Sequence, residues 1–119
     1  MADLVAYIRK DHIDVMNLRS SERAAGSAAF TSARLLIGHF PVAETLLGEL
    51  MKKLGTGGFL SSQPRLVIQP LEMTDGGLCV IEERAFIELG RAAGARVSKV
   101  YVGETLSKEA AAHLLDDAA

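Results

Sequence analysis

Apolar and polar positions change period near Gly38. Before it, Leu4, Val5, Ala6, Tyr7 and Ile8 form a short apolar run, followed by Arg9, Lys10 and Asp11. Ile13, Val15, Met16 and Leu18 then follow with partial period-two alternation. The pattern predicts a hairpin turning near Lys10–Asp11–His12. No Asn-Gly or Asp-Gly pair pins that turn. Ser20 to Ser32 is small and polar around Gly26, and reads as a loop, a short edge strand, or both. Arg34-Leu35-Leu36-Ile37 predicts a third strand, or the end of one, closed by Gly38.

From Pro41 the period becomes helical. Proline suits a first helical position because its missing N–H would have no partner there. Val42, Leu46, Leu47, Leu50, Met51 and Leu54 make one stripe, and Gly55 takes the position just past the helix end. The stretch 55–64 reads as a flexible connection. Arg65-Leu-Val-Ile-Gln69, bordered by Pro64 and Pro70, predicts a buried central strand. A loop from Leu71 to Leu78 turns at Asp75-Gly76-Gly77. Ile81, Ala85, Phe86, Leu89, Ala92 and Ala93 form a second helical stripe, ended by Gly94. Val97 to Val102 predicts a strand closed by Gly103. Ser107 then caps a short third helix, with Glu109 near its positive end.

The order is therefore β-β-β-α-β-α-β-α. A meander of three strands, followed by right-handed crossovers, places the fourth strand beside the first and the fifth beside the fourth. The expected fold is an α/β single domain over 1–119, with a five-stranded mixed sheet of order 3-2-1-4-5 and the two long helices on one face. By analogy this is the ribonuclease-H-like arrangement, the unit of each half of actin and the sugar kinases.

Composition narrows the function. The chain has 119 residues, 49% hydrophobic and 24% charged, as expected for one globular domain. Thirteen basic and fifteen acidic residues leave a charge of -2, which gives no footprint for nucleic acid or an anionic membrane. Four Phe, two Tyr and no Trp supply few stacking platforms. A single cysteine, Cys79, excludes an internal disulfide. The run Leu4–Ile8 is too short for a signal-peptide core or a membrane span, so the expected compartment is the cytoplasm. A domain of this size leaves little room for a deep cavity.

Ile81-Glu-Glu-Arg-Ala85, Ala92-Ala-Gly-Ala-Arg96 and Val100-Tyr-Val-Gly-Glu104 stand in order in the second half. Upstream lie the helix from Phe40 to Leu54 and the strand Arg65-Leu-Val-Ile-Gln-Pro70. In this order and spacing the chain from about Gly38 resembles the first-lobe region of the bacterial rod-shape-determining actin homologues, the MreB family. The resemblance implies an actin-like fold and a link to bacterial cell shape. It does not extend to nucleotide binding. The family's first phosphate loop, Asp-x-Gly-Thr, sits in the first hairpin turn, where this chain has bulky Arg9-Lys10-Asp11-His12. The other half of the actin site has no counterpart here.

Other chemistry finds little support. A two-metal nuclease site on a ribonuclease-H-like fold needs a carboxylate within the first strand, and Leu4 to Arg9 has none. Glu44 or Glu49 with Glu72 supply only two of three ligands and also read as surface acids. His12, His39 and His113 have no metal-ligand spacing. Cys79 adjoins a helix start, where a thiolate is favoured, although a buried inert thiol is the commoner case. Gly55-Thr-Gly-Gly and Asp75-Gly-Gly match neither phosphate-loop pattern. Glu82-Glu83-Arg84 with Glu88 and Arg91 reads as a solvated face, and Lys52-Lys53 as a helix end. Arg23, Arg34 and Arg65 are too scattered to define a basic patch.

The expectation is thus a non-catalytic, actin-like interaction module without catalytic residues, cofactor or metal. Two long helices cover one sheet face and only the short third helix reaches the other. An apolar patch of about several hundred Å² would then stay bare and seek a partner. That partner would be a second copy, giving a homodimer, or a longer actin-like protein. The alternative is a small metal- or nucleotide-dependent enzyme or ligand-binding domain using Glu44, Glu72 and Glu104 at strand ends.

Overall fold

A computed structural model describes residues 2–54 and 63–117. Gly55, expected to end the first helix, and the connection expected from it as far as residue 62 lie outside the described residues. The elements run β1 (Asp3–Arg9), β2 (His12–Asn17), β3 (Arg23–Ser27), α1 (Phe40–Lys53), β4 (Arg65–Pro70), α2 (Val80–Ala92), β5 (Val97–Val100) and α3 (Lys108–Asp116). One mixed sheet has the order β3-β2-β1-β4-β5. β1 and β2 pair antiparallel, as do β2 and β3, while β4 runs parallel to both β1 and β5. The hairpin turns where expected, with Asp11 at φ 55°.

β1 and β4 are buried on both faces, which is why their apolar runs barely alternate. On one face Leu4, Ala6, Ile8, Ile13, Val15, Leu66 and Ile68 meet α1 and α2 through Leu47, Leu50, Met51, Phe86 and Leu89. On the other face Val5, Tyr7, Met16 and Val67 meet Leu106 and, from α3, Ala111 and Leu115. This corrects the expectation of a bare apolar face. Val5 and Val67 are wholly buried, because residues 101–107 and α3 fold back over β1 and β4.

Arg65 fastens the far end of that cover. Its Nε donates to Asp3 Oδ1 (2.8 Å) and its Nη2 to Asp3 Oδ2 (2.7 Å) and Asp116 Oδ1 (3.0 Å). Nη1 donates to the Leu115 carbonyl (3.4 Å) and Lys99 Nζ to the Leu114 carbonyl (2.8 Å), satisfying acceptors at the α3 carboxyl end. The Arg65 guanidinium, bonded to its carboxylate, holds Asp3 below the usual carboxylate range, and Asp3 in turn raises Arg65.

Three sequence readings change. The third strand is Arg23–Ser27, not Arg34–Ile37. Residues 34–37 belong to a loop that tucks Phe30, Leu36 and Ile37 into the core. Thr31 Oγ1 donates to the Leu36 carbonyl (2.7 Å), Ser32 N–H to Leu35 (3.0 Å) and His39 N–H to Phe30 (2.8 Å). Small residues suit β3 because α1 crosses it closely: a Cβ on Gly26 would stand 3.0 Å from Leu46 Cδ1. Next, β5 ends at Val100 rather than Val102. Finally, Ile81 is 79% exposed, so the buried stripe of α2 is Phe86, Leu89 and Gly90.

At Gly90 α2 lies tight against β5. A Cβ there would collide with Ser98 Oγ and lie 2.9 Å from Ser98 Cβ. Ser98 Oγ is buried without a hydrogen-bond partner. Chemical denaturation should therefore separate the two sites. Gly90→Ala overpacks the contact and costs about 1–3 kcal/mol. Ser98→Ala removes an unsatisfied hydroxyl and leaves stability within about 0.5 kcal/mol of wild type or above it.

The Asp3–Arg65 pair sets the acid limb. Asp3 titrates lower folded than unfolded, so its contribution is full above the ordinary value of an unfolded carboxylate. That contribution is lost as pH falls through the folded value. Urea midpoints across an acid series should fall more steeply for wild type than for Asp3→Asn. The variant should be about 1–2 kcal/mol less stable at neutral pH.

Candidate functional site

The pleat of the sheet dictates which side chains share its second face. In register, Arg23, Met16, Val5, Val67 and Lys99 form one row, and Ala25, Asp14, Tyr7 and Gln69 the next. Ser27, His12 and Arg9 form a third. α3 and residues 101–107 cover the β1–β4 side of these rows. The β2–β3 side stays open and is polar.

The boundary between the two sides is built by Gln69 and Tyr7. Gln69 is fully buried. Its Nε2 donates to the carbonyls of Gly103 (3.2 Å) and Glu104 (2.8 Å), and its Oε1 accepts from Leu106 N–H (2.9 Å). The Tyr7 hydroxyl donates to the Leu106 carbonyl (2.7 Å). Burial pushes the Tyr7 pKa up, so the phenol stays a donor. Leu106 is thus held by both backbone groups, and its chain becomes a wall.

Against that wall lies a recess of about 350 Å³, lined by residues of β1, β2, β3, the segment from Leu71 and the start of α3. Arg9, His12, Arg23 and Lys108 supply its cationic and imidazole groups, and Asp14 its carboxylate. Arg23 Nε stands 3.4 Å from Asp14 Oδ1, and its guanidinium carbon lies 5.9 Å from the Tyr7 ring centre. His12 Nδ1 shares a hydrogen bond with Ser27 Oγ (3.0 Å). Lys108 Nζ donates to Ser21 Oγ (2.6 Å), a neutral partner. Arg9 makes no ion pair among the described residues. Ser107 Oγ accepts from Ala110 N–H (3.1 Å), so the capped amino end of α3 lies at the wall. Three permanent cations against one carboxylate leave the recess at +2, in a chain of net charge -2.

The candidates named from sequence fall elsewhere. Among the described residues no three His, Cys, Asp or Glu side chains group to hold a metal ion. Glu44, Glu72 and Glu104 are therefore not brought together. Glu44 and Glu49 ride on α1, while Glu72 Oε2 accepts from Lys10 N–H (3.4 Å). Glu104 contributes its backbone to Gln69. His39 stands at the α1 N-cap without a side-chain cap bond, and His113 pairs with Asp117 (3.4 Å) on exposed α3. Cys79 is exposed at the α2 N-cap rather than buried. Gly76 and Gly77 form the expected turn, at φ 77° and 84°. Arg34 is exposed and Arg65 is engaged with Asp3, but Arg23 does join a basic cluster.

An α/β domain with a mixed five-stranded sheet and a basic recess on its second face is thus the class of protein defined here. The chain is 38% identical over 104 residues to an Escherichia coli K-12 protein carrying the name uncharacterized protein YjaA. The match covers 83% of this chain and 80% of that protein, and the chain belongs to the YjaA family. No protein-family model matches it.

Gln69→Leu should be costly. It leaves Leu106 N–H and two carbonyls without their partner, at about 1–3 kcal/mol for each group that water cannot reach. Tyr7→Phe should cost less, about 0.5–1.5 kcal/mol. Urea unfolding of both variants checks the order.

Proposed function

We propose that the chain is a non-catalytic interaction module whose working surface is the basic recess and whose partner presents an anionic group there. The convergence of Arg9, Arg23, Lys108 and His12 on one cavity carries this reading. Each potentially reactive group of the recess has a structural task. Asp14 pairs with Arg23, Tyr7 donates to Leu106, and His12 bonds Ser27. The contact expected from a greasy sheet surface is thereby relocated to a charged one.

The strand order, with α1 and α2 on one face, supports a ribonuclease-H-like, actin-like reading of the fold. A link to bacterial cell shape, by resemblance to the MreB family, belongs to the same proposal. So does a cytoplasmic setting. A second copy of this chain, giving a homodimer, or a longer actin-like protein is one carrier of such an anionic group. The alternative, a metal- or nucleotide-dependent enzyme, gains nothing from the separated positions of Glu44, Glu72 and Glu104.

Thermal unfolding at matched ionic strength distinguishes the two. Pyrophosphate without metal should raise the midpoint by several degrees, since each kcal/mol of linked binding moves a domain of this size by about 4–8 °C. Arg9→Glu/Lys108→Glu should abolish the rise. A shift with Mn²⁺ or Mg-ATP alone, untouched by that double variant, would overturn the proposal in favour of the enzyme.

A further inference from the structure

We infer that the recess binds a small organic phosphate monoester, an inference that rests on the anion-accepting role proposed above. Three features select this ligand class. The first is charge. The recess stands at +2, and a phosphate monoester at neutral pH carries about -1.5 to -2. A single carboxylate neutralises only half of the site. Arg9 is free of ion pairs among the described residues and offers a planar fork matched to phosphate oxygens. Among the described residues the partner of Lys108 Nζ is a hydroxyl, so it gains by turning to an anion.

The second feature is the wall. Ser107 and Lys108 line the recess at the start of α3, a helix of nine residues, so its positive end adds to the side-chain charge. The third is the apolar part of the lining. Met16, Leu71, Leu106 and the Tyr7 ring share the recess with the cations. Tyr7, Met16 and Leu106 are 6–7% exposed and Leu71 is half-buried, so together they make a narrow apolar rim, which the organic body of an ester covers and inorganic phosphate leaves wet. A volume of about 350 Å³ lies at the small end of the range of small-molecule sites, about 300–1,000 Å³. It suits a compact ester better than a length of peptide.

Calorimetric titration of the full chain tests this, with phenyl phosphate, inorganic phosphate, phenylacetate, polyglutamate and a phosphoserine peptide as probes. Phenyl phosphate should bind more tightly than both inorganic phosphate and phenylacetate, and more weakly as salt rises. Arg9→Gln and Lys108→Gln should each weaken it by about tenfold or more. The unfolding midpoint of Arg9→Gln should match wild type, as Arg9 is exposed. Lys108 is half-buried and Lys108→Gln gives up the Ser21 bond, so its midpoint should fall by no more than the few degrees that one lost hydrogen bond costs. Lys52→Gln, on α1, should bind as wild type. If phenylacetate or polyglutamate binds as tightly as phenyl phosphate, the phosphate class is wrong while the anion-accepting recess stands. If the phosphoserine peptide binds tenfold more tightly than phenyl phosphate, the small-molecule source is wrong. If no anion binds the folded wild type, both this inference and the proposed function fall.

Discussion

The architecture of this protein turns on one buried amide. Gln69 sits near the carboxyl end of β4, beside Tyr7 of β1, fully enclosed, and its side chain's hydrogen bonds all go to the segment between Gly103 and Leu106. A polar group in that position is costly unless satisfied. Its partners therefore have to return to the sheet from the far end of β5. Once they do, α3 starts above β1 and β4, and the apolar residues beneath it become core. A free-standing five-stranded sheet would have kept Val5 and Val67 in water. Here they belong to a second, smaller core.

The cover is partial, and its edges decide what the surface offers. At the carboxyl end of α3, Arg65 joins Asp3 and Asp116, tying the helix to the start of β1. At its amino end, Leu106 is caught between Gln69 and Tyr7. α3 packs on β1 and β4, so the outward residues of β2 and β3 determine the chemistry of the other side. Those residues are His12, Asp14, Arg23, Ala25 and Ser27, with Met16 already buried in the second core. Arg23 lies over the Tyr7 ring, which lets its charge stand beside an apolar floor. The recess is thus a consequence of covering half a sheet and leaving the polar half open.

Much of the fold was legible because its strongest signals are local. The unbroken apolar runs of β1 and β4, the helical stripes ending at Gly94 and near Leu54, and the Ser107 cap each sit within one element. Crossover handedness then gives the strand order. β3 was harder because Arg-Ala-Ala-Gly-Ser contains no β-branched or aromatic residue. Its identity as a strand comes from pairing with β2 and from α1 needing small side chains beneath it. Leu36 and Ile37 misled in the opposite direction: they are apolar because a loop buries them. The recess was not readable at all. It needs the β3 register, which brings Arg23 beside Asp14, and a fold-back across more than thirty residues of chain from Gln69. The alternation of Tyr7 with Arg9 and of His12 with Asp14 was the one local sign that these side chains share a face.

The most direct test of this account is amide hydrogen exchange at Leu106 in the unmodified protein. Its N–H donates to a buried side chain, not to a neighbouring strand or helix, so its protection reports the Gln69 contact alone. Protection comparable to that of the β4 amides is the predicted result. Exchange at the rate of an open loop, with β4 still protected, would contradict it, because the wall of the recess would then be absent in solution.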